Sequence, residues 1–228
     1  METILNNIFI GFDQKEAIVY HTFVQSLIEN SSIPLSITPL SENNLNIYKE
    51  KHSDGTNKFT YSRFLVPYLM GFKGWAIYFD GDMVCLNDIK ELIDNADENF
   101  AVQLVKHDYK TKATKKYFGQ KNENYPRKNW SSVILWNCSH PKNKILTPEF
   151  ISNKDGAFLH RFHWLENFEI GEINQKWNWL AIEYPEIKDP KVIHYTIGTP
   201  CFKEYKNTPM ANFWHEAFKR LKQGIDWT

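Results

Sequence analysis

The feature that most constrains this chain is Trp75-Ala76-Ile77-Tyr78-Phe79, an unbroken apolar run that stops at Asp80-Gly81-Asp82. Consecutive apolar residues without alternation are what a strand buried on both faces needs, and such strands belong to sheets covered by helices on both sides. An α/β fold follows, with two carboxylates at the mouth of a central strand. In open α/β sheets the crevice beyond the strand ends is where ligands bind. Side chains two apart in extended chain share a face, which aims both carboxylates at one point. Unpaired at that spacing they repel, and one takes up a proton. A divalent cation removes the conflict, and hard carboxylate oxygens suit Mn²⁺ or Mg²⁺. Gly81 leaves room for a ligand to approach the backbone. The competing structural reading is a tight turn in which Asp80 and Asp82 bond to backbone N–H groups.

The pattern on either side agrees with this class. Ile8–Gly11 reads as a strand and Gln14–Glu29 as a helix, with Asp13 as N-cap and Glu16 completing a D-x-x-E capping box. Ala17, Tyr20, Val24, Leu27 and Ile28 fall at helical spacing and form its expected core face. Leu35–Thr38 reads as a second strand, so the chain opens as a βαβ unit of a largely parallel sheet. Thr60 opens a helix carrying Tyr61, Arg63, Phe64 and Leu65, which Pro67 is expected to kink. Asp88 caps a helix over Ile89–Ile93. Phe100–Val105 and Ser132–Trp136 read as later strands, and Met210–Lys222 as a closing amphipathic helix. The 228 residues fit one domain over 1–228.

Composition narrows the function. Formal net charge is zero, which argues against nucleic acid as principal partner. No stretch approaches the ~20 apolar residues of a membrane span. Asp13 follows the short apolar run Ile8–Phe12 where a signal sequence would need its cleavage site, so the expected location is cytoplasmic. Cys85, Cys138 and Cys201 are odd in number and widely spaced, which fits reduced packing residues. One segment is biased: Lys106–Lys128 holds eight basic and two acidic residues, a net +6 that leaves −6 on the rest. It reads either as a solvated, weakly ordered loop or as a lid or acceptor-binding arm for anionic groups.

A resemblance joins these pieces. Phe59–Ile93, FTYSRFLVPYLMGFKGWAIYFDGDMVCLNDIKELI, resembles the glycogenin and bacterial lipopolysaccharide galactosyltransferase group of GT-A glycosyltransferases. In that group a Tyr-x-Arg helix, a hydrophobic strand, a D-x-D and an Asp-Ile/Leu-x-x-Leu helix follow in this order. IFIGFDQKEAIVYHTFVQSLIENSS resembles the group's nucleotide-binding first βα unit, NWSSVILWN at Asn129–Asn137 its sugar-site strand, and VIHYTIG at Val192–Gly198 its C-terminal histidine motif. Short bacterial and phage proteins of glycosyltransferase type are similar over nearly the whole chain. The resemblance implies a GT-A fold, a Rossmann-like mixed sheet flanked by helices. It implies a metal-dependent transferase moving a hexosyl group from a nucleotide-sugar, a UDP-sugar by the same resemblance, to a glycan, lipid or protein acceptor, with retention of configuration.

Position by position, the resemblance implies that Asp80, Asp82 and His194 hold Mn²⁺ or Mg²⁺. Gly11, Phe12 and Asp13 would lie against the base and ribose, and Arg63 would reach the diphosphate or the sugar. Gly81, Ser131, Ser132 and Gly198 would bind the donor, with Asn137 and Glu166 as the catalytic candidates in the sugar and acceptor cleft. Asp13 also reads as a plain helix cap, Arg63 as the partner of a structural carboxylate, and His160 and His163 as structural. The chain departs from the group where a lysine gripping the diphosphate is usual after the histidine and glycine: here Gly198 leads to Thr199-Pro200-Cys201-Phe202, and the first lysine is Lys203. A sugar-nucleotide-binding protein without transferase activity therefore stays open. So does a haloacid-dehalogenase-like phosphatase, suggested by AIYFDGDMV, although that motif belongs on a first strand and needs a later acidic pair.

Overall fold

The computed structural model describes residues 6–53, 55, 59–116 and 119–223. Strand β1 (Asn6–Gly11) leads through a 3-10 turn at Gln14–Glu16 into helix α1 (Ala17–Asn30) and back to β2 (Leu35–Leu40), which pairs parallel to β1. Asp13 caps the turn, its carboxylate accepting from Lys15 N–H at 3.0 Å and its carbonyl from Glu16 N–H at 2.9 Å. Of the expected stripe of α1, Tyr20 and Leu27 are buried and Val24 packs against the core, but Val19, Phe23 and Ser26 also face inward and Ile28 is 57% exposed. Two hydroxyls explain how polar residues sit there. Thr22 donates to Ile18 O, while Ser26 donates to Phe23 O and accepts from Cys85 N–H, tying the helix to strand β4 (Met83–Cys85).

The central strand is β3 (Trp75–Phe79), parallel to β1, followed by β5 (Val102–Leu104), β6 (Val133–Asn137) and β7 (Ile170–Glu172). Together they give a six-stranded sheet of order β2-β1-β3-β6-β5-β7. The sheet is largely parallel, as expected, and mixed only through β6, which runs antiparallel to both β3 and β5. Side chains alternate as the pleat requires. Phe9, Ala76, Tyr78, Ile134 and Trp136 pack on one face, and Ile8, Ile10, Ile77, Phe79, Val133 and Leu135 on the other. The double-sided burial read from Trp75–Phe79 is thus present.

A second, three-stranded sheet has the order β4-β9-β8, with β8 at Trp179–Leu180 and β9 at Val192–His194. It packs against α6 (Ala211–Leu221) through Val84, Ile193, Tyr195 and Trp214. Short helices α2 (Val66–Leu69), α3 (Lys90–Ile93), α4 (Pro148–Ser152) and α5 (Gly156–His160) complete the description. Pro67 does not kink a longer helix. It occupies the first turn of α2, where its missing N–H has no partner to lose. Asp88 holds the start of α3, accepting from the N–H groups of Lys90 and Ser32. Among the described residues no helix is long and apolar enough to cross a membrane.

Candidate active site

The chain passes from the large sheet to the small one at Asp80–Asp82, and that crossing builds the site. Asp80 follows the last residue of β3, and its N–H donates to Ser132 O at 2.9 Å. Asp82 immediately precedes β4, and its carbonyl accepts from Tyr195 N–H at 2.9 Å. β9 runs antiparallel to β4 with His194 opposite Met83, which delivers the imidazole to the carboxylates. His194 Nε2 is 3.1 Å from Asp82 Oδ1 and 3.9 Å from Asp80 Oδ2. One ligand atom from each residue lies within 4.8 Å of the other two.

Each member is fixed from behind. Arg63, buried on the 3-10 turn Ser62–Leu65, ion-pairs Asp80 Oδ1 at 2.9 Å and donates to Ser131 O and Thr60 O. Tyr78 OH donates to the same oxygen at 2.7 Å, and the guanidinium lies over the Tyr78 ring. Burial pushes the Asp80 carboxyl above its ordinary range; Arg63 opposes that rise and Asp82 adds to it. Burial is the largest single influence on Asp82 and raises it, yet His194 and the other neighbours together displace the carboxyl downward.

A relay of hydrogen bonds sets the tautomer of His194. Ser132 Oγ donates to Asn129 O and accepts from Asn178 Nδ2 at 2.7 Å. Asn178 Oδ1 therefore faces His194 Nδ1 at 2.9 Å, where it accepts the ring proton. In the neutral ring Nε2 then presents a lone pair to the aspartates. Asp82 Oδ1 is buried and receives no hydrogen bond, although Nε2 is so near. A bare nitrogen facing an orphaned carboxylate oxygen, beside a second carboxylate, fits a divalent cation.

These groups open into a cavity of ≈ 410 Å³ that is also lined by Arg63, Ser131, Ser132, His160, Lys116 and Tyr125. Other residues expected here are elsewhere. Asn137 ends β6 at the far end of the sheet, opposite Trp75, about 15 Å along the strand from Asp80. Its amide donates to Phe100 O. The reason is strand direction: β6 is antiparallel to β3, so its start, not its end, meets the site. Glu166 is exposed, leading a 3-10 turn, and its N–H donates to the Glu169 carboxylate. Gly198 is buried under Tyr205, whose ring a Cβ there would meet at 2.3 Å. Gly11 lies one residue past the Ile10–Phe79 register pair and so level with Asp80, while Phe12 packs edge-on against Tyr20. The room beside Gly81 is filled by Gly11 O, which a Cβ would approach to 2.6 Å, so this glycine serves a backbone contact.

The structure adds residues that spacing did not reveal. His160, read as structural, borders the cavity and meets Ser131 Oγ through Nδ1 at 2.7 Å. Burial holds its pKa well below the ordinary histidine range, with Arg63 adding to the shift. Asn178 and Lys116 are likewise brought in by tertiary structure. The sequence signal for Lys116 was the charge bias of its segment.

Comparison with known proteins gives the family and the fold. The glycosyl transferase family 8 model matches residues 7–140, which carry Asp80, Asp82, Arg63, Ser131 and Ser132. Protein CDI of Arabidopsis thaliana is 43% identical over 216 residues, covering 91% of this chain and 83% of that protein. The chain belongs to glycosyl transferase family 8 and is a glycosyltransferase. Solved structures share the fold. The bifunctional glycosyltransferase WbbM superposes with a TM-score of 0.67 at 14% identity over 96% of this chain, which spans 50% of WbbM. The galactosyltransferase LgtC, solved with donor and acceptor sugar analogs, superposes with a TM-score of 0.56 at 12% identity over 94% of this chain and 95% of its own. The mixed sheet is the GT-A architecture of these transferases.

Proposed function

We propose that the chain transfers a hexosyl group from a UDP-sugar to a hydroxyl of a glycan, lipid or protein acceptor, with retention of configuration. Asp80, Asp82 and His194 would hold Mn²⁺ or Mg²⁺. The observation that carries this reading is the convergence of three ligand atoms, one an orphaned buried oxygen, at the edge of a polar cavity. When bound, the ion supplies charge stabilisation to the departing nucleoside diphosphate.

The chain's own residues do the remainder. Arg63 and Tyr78 hold Asp80 in place and favour its ionised form against burial, and Asn178 keeps His194 in the ligating tautomer. Gly11, Phe12 and Asp13, at the end of β1 beside Asp80, would receive the nucleoside. Ser131 and the neutral His160 would orient the sugar or the acceptor hydroxyl by hydrogen bonding, in the place first assigned to Asn137 and Glu166. Incubation with a panel of nucleotide-sugars and Mn²⁺, read by nucleoside diphosphate release and by NMR of the product's anomeric proton, tests the reading. Release of UDP with a retained anomeric centre supports it. An inverted product or a preferred non-uridine donor contradicts the corresponding part.

A further inference from the structure

The cavity is lined by three carboxylates, Asp80, Asp82 and Glu123, and three cations, Arg63, Arg161 and Lys116; Arg63 pairs with Asp80, and Glu123 pairs with Lys121 outside the lining. The backbone holds Lys116 at the cavity: its N–H donates to Gln120 O at 2.7 Å, beside the antiparallel bridge Lys115–Lys121. Among the described residues its ammonium makes no hydrogen bond and no ion pair. Burial lowers the pKa of the amine while Asp82 and then Asp80 raise it, so both carboxylates act on it across the cavity. Lys203, the first lysine after Gly198, is exposed and lies outside the lining.

Charge balance gives this amine a task. Asp80 and Asp82 offset a divalent cation charge for charge, leaving Arg63 as the sole surplus of that group. A nucleotide-sugar's diphosphate brings more than one negative charge and gains another as the glycosidic bond opens. An uncompensated charge in a desolvated site is costly. We propose that Lys116 supplies the missing positive charge and binds the donor's diphosphate from the basic segment. The inference rests on the donor reading above. Arg161 is the alternative cation, since it also lines the cavity and its Nε is buried without a partner. Its charge acts on Tyr125, however, and is not among the leading influences on either aspartate.

Calorimetric titration of UDP, uridine and Mn²⁺ separately, on wild type, Lys116→Met, Lys116→Arg and Arg161→Ala, tests this. Lys116→Met should lower UDP affinity in Mn²⁺ about 10- to 100-fold, the range for a bond to a charged group. It should leave uridine binding unchanged and Mn²⁺ binding unchanged or tighter, and Lys116→Arg should recover most of the UDP affinity. Wild-type UDP affinity in a folded Lys116→Met, or a loss confined to Arg161→Ala, overturns the assignment. If wild type binds Mn²⁺ but no UDP, the donor reading fails and this inference with it.

Discussion

At the residue scale the site depends on which nitrogen of His194 faces the aspartates, and Asn178 decides it. The amide is itself oriented by Ser132 Oγ, so the relay from Asn129 O to the imidazole leaves one arrangement. Asn178→Ala should weaken Mn²⁺ binding about 10- to 100-fold, as loss of an outer partner of a metal-bound histidine does. It should leave uridine binding intact, which separates the effect from unfolding; an unchanged Mn²⁺ affinity would remove Asn178 from the site. The two aspartates were legible in the sequence because a strand buried on both faces can end only at a sheet mouth. Asn178 was not, because its role comes from bonds to residues 46 and 16 positions away. Arg63 was legible as a site residue, and its observed partner is a site carboxylate, which joins the two readings made of it.

At the scale of elements, strand direction decided what the sequence could show. Apolar runs located β1, β3, β5 and β6 to within a few residues, yet a run of that kind reads the same in either direction. β6 therefore brought Ser131 and Ser132 to Asp80 and carried Asn137 away. The turn between β3 and β4 is equally dependent on neighbours. Gly81 passes so close to Gly11 that a Cβ would lie 2.6 Å from its carbonyl oxygen, backbone against backbone with no flexible side chain to yield. Gly81→Ala should cost about 1–3 kcal/mol by overpacking. It should also reduce Mn²⁺ affinity, because the shift is imposed between two ligands. Denaturant unfolding with a parallel Mn²⁺ titration checks both, and a variant of wild-type stability would show that the turn has slack.

At the scale of the whole molecule, zero net charge conceals a +6 segment that contributes Lys116 to the site, and buried imidazoles make stability pH-dependent. His107 is buried, shares a 2.7 Å hydrogen bond with Tyr184 OH, and has its pKa pushed down to about 3, chiefly by burial. In the unfolded chain it protonates near the ordinary histidine value of about 6.5. Its contribution is complete above that value. It is lost as pH falls toward 3, because over that window the unfolded state binds the extra proton. His160, displaced the same way, adds to the loss. The unfolding free energy should therefore fall from pH 7 to pH 5, by up to about 1.4 kcal/mol per pH unit from each imidazole, and the melting temperature should fall with it. His107→Gln, which keeps a partner for Tyr184, should flatten the profile; an unaltered slope would show that His107 does not govern it.

The central claim is that Asp80, Asp82 and His194 share one cation and that nucleotide binding depends on it. Calorimetric titration of UDP into wild type and Asp82→Asn, each with Mn²⁺ and with chelator, tests this most directly. The substitution keeps shape and removes one of two adjacent charges, so the metal-free fold should be as stable as wild type or more so. Wild type should bind UDP with Mn²⁺ and lose that binding in chelator, while Asp82→Asn should bind weakly and equally in both. UDP binding of equal strength in all four titrations would contradict the account.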